Sequence, residues 1–501
     1  MIRGKSDVLY LRPRLRPLSI LERFHVVIVG GGFSGVALAA HLVRHGDRGL
    51  RITLVEAGER VGRGIAYGTE LDDHLLNTRA ADMSALEDEA DDFVWWLRRH
   101  GHASSGREFV SRRRYGDYLE DKLIETSLRA AQHDIAFSAN GGTRVTDVMD
   151  GGDAFLVALD DGRSVGCDAV VLATGHASPP DILARWLPRG HARWIRDPWA
   201  APGVGPGGIG RDDRVLMIGS GLTMIDKLLE LEACGHTGPV HALSRRGLLP
   251  RAHRRRPETL PADVQRALSD GLARAGSLRA MLRVTRRAIA AAEHRGTSWR
   301  PVIDALRALA PSLWSRLSPA DRRRFLRRLR PYWDVHRHRT APSIGAVIEA
   351  RLATGRLEVR AGRVCGAEVR ERGIVVEQRL RGATAPRREH YDWIVNCTGH
   401  DRPGAGRALE ERLSWRGLLL PDLDGLGWIA GPGGALERSD GSPRRLYLLG
   451  PGRRPASFES TAVPELRRQA AALAAELVEV AAARRRGPAR GAELFRAWQP
   501  R

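Results

Sequence analysis

The hydrophobic pattern sets in at about residue 25. Val26 to Val29 is a short β-branched run, the pattern of a parallel strand buried on both faces. Gly30-Gly-Gly32-Phe33-Ser34-Gly35 follows at once, and Val36 onward predicts a helix. A second strand, Arg51 to Val55, ends at Glu56. The same order recurs later. Arg214 to Ile218 predicts a strand, Gly219-Ser-Gly221-Leu222-Thr223-Met224 a turn, and Ile225 onward a helix. The next strand starts at Val240 and ends in Ser244-Arg245-Arg246. Each half also has an exit strand, Asp168 to Gly175 and Asp392 to Gly399. Short alternating strands precede the exits at 157–161 and 374–380. The pattern is an internal duplication, and the second copy is longer because it carries a helical insertion at about 257–339.

Strand, glycine turn and helix together are the context in which this turn binds a dinucleotide. Gly30 permits the tight turn, Gly32 lets the backbone approach a pyrophosphate, and Gly35 lets helix and strand pack closely. The pyrophosphate then meets the free N–H groups of the helix N-terminus. Glu56 stands where a carboxylate accepts hydrogen bonds from an adenosine ribose. In the second copy Met224 replaces the third glycine. Arg245 occupies the place that Glu56 holds in the first, 26 residues after the first glycine in each case, with Ser244 and Arg246 beside it. A carboxylate there would repel a 2′-phosphate, whereas Ser-Arg-Arg can hold one. The cofactors read from this asymmetry are FAD in the first copy and NADPH in the second. The other reading of the arginine pair is solvated surface charge.

Composition changes this picture little. The 501 residues carry 80 Lys+Arg against 59 Asp+Glu, a net charge of +21. Only Lys5, Lys122 and Lys227 are lysines, so the excess is arginine, as in chains encoded by GC-rich genomes. No nucleic-acid motif accompanies it, and no nucleic-acid partner is expected. Cys167, Cys234, Cys365 and Cys397 form no CxxC pair, which excludes zinc ribbons and dithiol redox centres. The expected compartment is reducing, hence cytoplasmic. The apolar stretch from His25 to Ala40 is too glycine-rich and too short to span a bilayer, which takes about 20 apolar residues.

The expected fold class is α/β, with two dinucleotide-binding Rossmann-like domains. Residues 1–24 form a basic tail, 25–211 plus 396–501 the FAD domain, and 212–395 the NADPH domain with its insertion. Gly62 to Gly68 reads as a glycine-rich loop lying where a flavin ring would sit. Helices are expected from Phe93 and over 118–132. The run Trp333 to Arg339 closes the insertion, and His336-Arg337-His338-Arg339 is either a surface loop or an anion-binding or proton-relaying element. It lacks the carboxylate or cysteine partners of a metal site, and no metal is expected. Ser460-Thr461-Ala-Val-Pro464-Glu465 reads as the capped start of a long Ala/Leu helix reaching about Arg485.

The chain resembles the two-domain flavoproteins that include the FAD-dependent urate hydroxylase and the nitrosuccinate-forming aspartate N-monooxygenase. The matching stretches are Gly64-Ile-Ala-Tyr-Gly-Thr, His74-Leu-Leu-Asn77, Gly219 to Asp226, Ser244 to His253, Trp333 to Arg339 and Ser460 to Arg467. More distantly it resembles flavin-containing monooxygenases. The resemblance implies FAD contacts at Phe33, Ser34, Tyr67, His74, Leu76, Val145, Thr174, Gly175 and Thr461, beside the turn residues already named. It implies NADPH contacts at Gly219, Gly221, Leu222 and Thr223. It places Asn77 beside the flavin, as the catalytic residue supporting a C4a-hydroperoxide. Two features depart from the pattern: the monooxygenase fingerprint before the second turn is not evident, and Gly450-Pro451 stands where many flavoproteins have Gly-Asp. The implied activity is hydroxylation of a small polar or anionic substrate with O2 and NADPH. The alternatives are an NAD(P)H:acceptor reductase and a non-catalytic flavin-binding or basic interaction protein.

Overall fold

The computed structural model describes residues 23–200, 208–400, 407–431, 433–438 and 440–486. Most of the expected N-terminal tail, residues 1–22, lies outside the described residues. The chain starts with β1 (Phe24–Val29), α1 (Phe33–His45), β2 (Leu50–Val55) and a short α2 (Gly64–Tyr67). It continues through α3 (Asp92–Arg99), α4 (Arg112–Gln132), β3 (Ala136–Asn140), β4 (Val145–Asp150), β5 (Phe155–Leu159), β6 (Ser164–Cys167) and β7 (Ala169–Leu172). The second unit opens with β8 (Trp194–Ile195), β9 (Val215–Ile218), α5 (Leu222–Ala233) and β10 (Val240–Ser244). The insertion follows as α6 (Ala262–Arg274), α7 (Leu278–His294), α8 (Arg300–Arg316), α9 (Pro319–Arg324), a π turn over Phe325–Leu329 and α10 (Arg330–Arg337). Then come α11 (Pro342–Ala353), β11 (Leu357–Arg370), β12 (Gly373–Leu380), β13 (Arg387–Tyr391) and β14 (Trp393–Asn396). The chain returns to the first unit with α12 (Ala408–Trp415), β15 (Ala435–Glu437), β16 (Pro443–Leu448), α13 (Arg454–Ser457) and α14 (Val463–Arg486).

The first sheet has the order β15-β16-β7-β1-β2-β3, and β16 to β3 are parallel. The second has the order β13-β12-β11-β10-β9-β14-β8. In each, the strand before the glycine turn sits between the next strand on one side and the exit strand on the other: β1 between β2 and β7, β9 between β10 and β14. Both turns therefore lie at topological switch points, where crevices open in doubly wound sheets. The first sheet packs on α1, α3, α4 and α14 through residues such as Ile28, Leu38, Phe93, Tyr115 and Leu473. The antiparallel hairpin sheet β4-β5-β6 covers its other face. The insertion has its own core, built around Leu268, Met281, Leu306 and Trp314, and Phe458 from the C-terminal segment enters it.

Several expectations change. α4 starts at Arg112, six residues before the expected Tyr118, because Ser111 caps it by accepting from the Arg114 N–H. The strand β11 has no counterpart in the sequence reading; its mixed burial hides the period on which such a reading depends. The β8 edge strand pairs with β14, so the second sheet takes a strand from before residue 212. The run at 333–339 is not a surface loop. Trp333 to Arg337 is helical in α10, and Arg337 and Arg339 are buried. Residues 64–67 are a turn of helix rather than loop, and Arg63 anchors them to α4 through Asp117 and Glu120.

Candidate functional site

The first turn is built around space. Gly30 has φ +108, and a Cβ there would stand 2.4 Å from the Ala173 carbonyl oxygen on the exit strand. A Cβ on Gly35 would lie 2.0 Å from the Gly30 oxygen, so helix and strand close only over a glycine. Gly32 is different. It is the N-cap of α1 at φ −75, and a Cβ would make only an ordinary 3.5 Å contact with Gly64. Its lack of a side chain keeps the helix N-terminus open rather than letting the fold form. Glu56 sits at the end of β2, accepting from the Gly31 N–H at 2.6 Å and the Gly58 N–H at 2.8 Å. Those bonds hold the carboxylate beside the turn, as a ribose-binding acid requires.

The second turn repeats this construction with one change. Gly219 has φ +116, and a Cβ would meet the Cys397 oxygen at 2.0 Å. Gly221 caps α5 and faces open space. Met224, in the place of Gly35, is fully buried, so the helix is spaced by a side chain. The Ser-Arg-Arg triplet separates into three roles. Ser244 Oγ accepts from Ser220 Oγ at 2.8 Å and from the Gly247 N–H at 3.0 Å, which closes the turn. Arg246 donates to the Arg327 oxygen at 3.3 Å and lies over Tyr332, so it braces the insertion. Arg245 is exposed and makes no hydrogen bond or ion pair among the described residues.

The remaining sequence-predicted residues divide by exposure. Phe33 is buried and stacks at 6.4 Å on Tyr115; half-buried Tyr67 meets the same ring edge-on at 4.6 Å. Ser34 lies beside Gly450, so the end of the last parallel strand returns to the first helix. Thr174 donates to Glu410 at 2.8 Å, and Gly175 at φ +70 is exposed. Leu222 and Thr223 are half-buried in the first turn of α5. Asn77 is half-buried, and its carbonyl oxygen accepts from His253 Nε2 at 3.1 Å. Burial, reinforced by Arg339, pushes the His253 ring down to about 3, so it is neutral.

Three residues expected to contact a cofactor are buried. His74 is fully buried, with one ring nitrogen on Thr69 at 2.8 Å and the other on the Asp226 oxygen of α5 at 2.9 Å. Its imidazole joins the two domains and has no nitrogen left for a ligand. Leu76 and Val145 are buried core residues. The expected Ser460 cap is also corrected. Its hydroxyl donates to the Gly450 oxygen at 2.6 Å and accepts from Gln469, while the Glu465 and Leu466 N–H groups bond Ala462. The N-terminus of α14 therefore starts without a serine or threonine cap, with half-buried Thr461 just before it.

The sequence reading missed one feature. Both exit turns read Thr-Gly-His, and the chain crosses between the sheets at these two places. The His176 and His400 rings stack 3.7 Å apart at an interplanar angle of 7°. The repeated histidine was the available signal. No group of metal-ligating residues occurs among the described residues, and no described helix is long and apolar enough to cross a membrane.

Residues 27–177, which include the whole first turn and its exit strand, match a family model described as FAD-NAD(P)-binding. The tRNA uridine 5-carboxymethylaminomethyl modification enzyme of Zymomonas mobilis is 30% identical over 187 residues, covering 34% of this chain and 27% of its own. A flavin-containing monooxygenase of Aspergillus flavus is 24% identical over 225 residues, covering 42% of this chain and 50% of its own. The chain thus spans half or less of the length of these curated relatives. The ornithine N-hydroxylase of Kutzneria sp. 744, solved with reduced FAD, NADP+ and L-ornithine, superposes with a TM-score of 0.60 at 16% identity, covering 91% of this chain and 99% of that one. In fold, the chain is α/β with two Rossmann-type dinucleotide-binding units, and the first of them carries the FAD-NAD(P)-binding match.

Proposed function

We propose that the protein is an FAD- and NADPH-dependent monooxygenase that hydroxylates a small polar substrate. The observation that carries this reading is the pair of turns with open N-caps at Gly32 and Gly221, flanked by opposite charges, Glu56 and Arg245. The first suits the pyrophosphate and ribose of FAD; the second suits a nicotinamide dinucleotide bearing a 2′-phosphate. The likeness to a flavin-containing monooxygenase and to an ornithine N-hydroxylase supports oxygen insertion as the outcome. FAD, when bound, supplies the electron storage and oxygen chemistry.

The chain's own residues do the rest. Asn77, its backbone held by neutral His253, would offer its side-chain amide to the flavin. The N-terminal end of α14, through its helix dipole, would favour negative charge collecting on the pyrimidine side of the flavin. The insertion is tied to the first domain through Arg307 of α8 and Arg337 of α10, a position from which it would shield the reacting region from water.

The test reduces the FAD-loaded protein with NADPH without oxygen, admits O2, and quantifies hydrogen peroxide and hydroxylated product across a panel of small polar compounds. Peroxide release that falls as product rises supports the proposal. Rapid reduction with no product from any compound identifies a reductase. Failure to take up FAD or oxidise NADPH identifies a non-catalytic binding protein.

A further inference from the structure

The insertion meets the first domain through a cluster of charges that does not balance. Arg307 on α8 makes a two-pronged contact with Glu465 in the first turn of α14, at 2.6 and 2.8 Å. Buried Arg337 lies 3.4 Å from Glu459 and 3.9 Å from Glu465. Trp333 Nε1 also donates to Glu459, at 2.9 Å. Arg330 takes Asp334 at 3.5 Å. Each carboxylate of the cluster is thereby committed to another cation.

Arg454, at the start of α13, is left over. Its Nε is buried without a partner, and its side chain makes no hydrogen bond or ion pair among the described residues. Its guanidinium lies 5.8 Å from the centre of the Phe458 ring. Burial, then the charge of Arg330, lowers its pKa to about 10, so at neutral pH it is still a cation. Its position is imposed. Phe458 has φ +58, a conformation that costs a bulky residue energy. The Phe458 ring is held at 4.8 Å from Trp314 and 5.2 Å from Phe325. Trp314 Nε1 donates to the Pro455 oxygen at 2.9 Å. The insertion thus holds a strained loop, and that loop presents Arg454.

Two neutral groups face the same region. The His338 ring, pushed down to about 3 chiefly by burial and next by Arg337, makes no hydrogen bond among the described residues. His176, stacked on His400 at the crossing between the sheets and kept neutral chiefly by burial, also feels the charge of Arg454. None of these residues belongs to a glycine turn, so the dinucleotide phosphates have cradles elsewhere. Arg454 is half-buried with its Nε shut away and no ion pair among the described residues, and an anionic ligand would supply the missing partner. A planar fork of N–H groups matches a carboxylate.

We propose that Arg454, with His338 as a neutral hydrogen-bond partner, binds the carboxylate of the substrate, which makes the substrate class small carboxylate-bearing molecules. The assignment of that ligand as substrate rests on the monooxygenase reading above.

The experiment titrates full-length protein, with and without FAD, with formate, acetate and succinate. Acetamide serves as the neutral control and inorganic phosphate as the competing anion. Thermal midpoint and tryptophan fluorescence are the readouts, so anion binding is measured whether or not the flavin turns over. Saturable binding of at least one carboxylate and none of acetamide is expected. Arg454→Gln should weaken it at least tenfold, Arg454→Lys by a smaller factor, and Arg245→Gln not at all. Equal affinity in Arg454→Gln and wild type overturns the proposal, as does phosphate binding through Arg454 without carboxylate binding, or no anion binding at all. If Arg454→Gln does not fold, Arg454→Lys decides, since unchanged affinity there would show that the guanidinium fork plays no part. Protein that binds carboxylate through Arg454 but takes up no FAD would refute the monooxygenase reading and leave the anion site standing.

Discussion

Arg245→Ala tests the second dinucleotide site where the structure is most specific. Of the three candidate phosphate contacts, Ser244 closes its own turn and Arg246 reaches the insertion, so Arg245 alone is free to meet a 2′-phosphate. A hydrogen bond to a charged group contributes about 1.5–3 kcal/mol. Arg245 is exposed, so solvent screening places its contribution near the lower end, about 1.5–2 kcal/mol. At about 1.4 kcal/mol per decade, the apparent KM for NADPH should rise roughly 10- to 30-fold. NADH carries no phosphate there, so its kinetics should stay nearly level. Arg246→Ala should shift the NADPH KM by less than about threefold, because that guanidinium points elsewhere. The assay is steady-state oxidation of both coenzymes by wild type and each variant at two ionic strengths. The NADPH preference of wild type should shrink at the higher salt. A wild type that prefers NADH, or an Arg246→Ala variant that loses more NADPH affinity than Arg245→Ala, would refute the assignment.

Three further outcomes follow from the packing. Gly32→Val should give folded, colourless protein, since the backbone there tolerates a side chain and only the pyrophosphate approach is filled; Gly35→Ala, with its Cβ 2.0 Å from the Gly30 oxygen, should fail to fold. Absorbance and circular dichroism separate the two, and a yellow Gly32→Val with full flavin occupancy would sink the first site. Glu465→Gln strands Arg307 in a largely buried setting and should cost about 3–5 kcal/mol in denaturant unfolding, whereas Arg307→Met with Glu465→Leu should recover most of that loss. A double variant no more stable than Glu465→Gln would contradict the argument. The His253 pKa, lowered to about 3 when folded against 6.5 in the free side chain, lets the unfolded chain take up the proton first. Its contribution to stability is therefore full above about pH 6.5 and falls as pH drops toward 3, by about 1.4 kcal/mol per unit. His253→Gln should flatten that limb in urea titrations between pH 7 and 4; parallel curves would show that the native ring takes up a proton as readily as the unfolded one.

The sequence by itself determined what depends on neighbours along the chain. Gly30 and Gly35, Glu56 and Arg245, and the two Thr-Gly exits are local choices, because a turn's φ, a helix N-terminus and the end of a strand are set within a few residues. Only the tertiary structure decided where long side chains end. His74 reads as a cofactor ligand beside Asn77, yet its ring spends both nitrogens on Thr69 and the Asp226 carbonyl 152 residues away. His336 to Arg339 reads as either a surface loop or an anion-binding or proton-relaying element, and Arg337 and Arg339 prove buried because Glu459, Glu465 and Asp304 come to meet them from other segments. Arg454 is one arginine among many until the cluster around it is counted and every carboxylate proves to be taken. The period and spacing of residues report the backbone; the pairing of charges across domains is a property of the packed molecule, where desolvation makes each missing partner count.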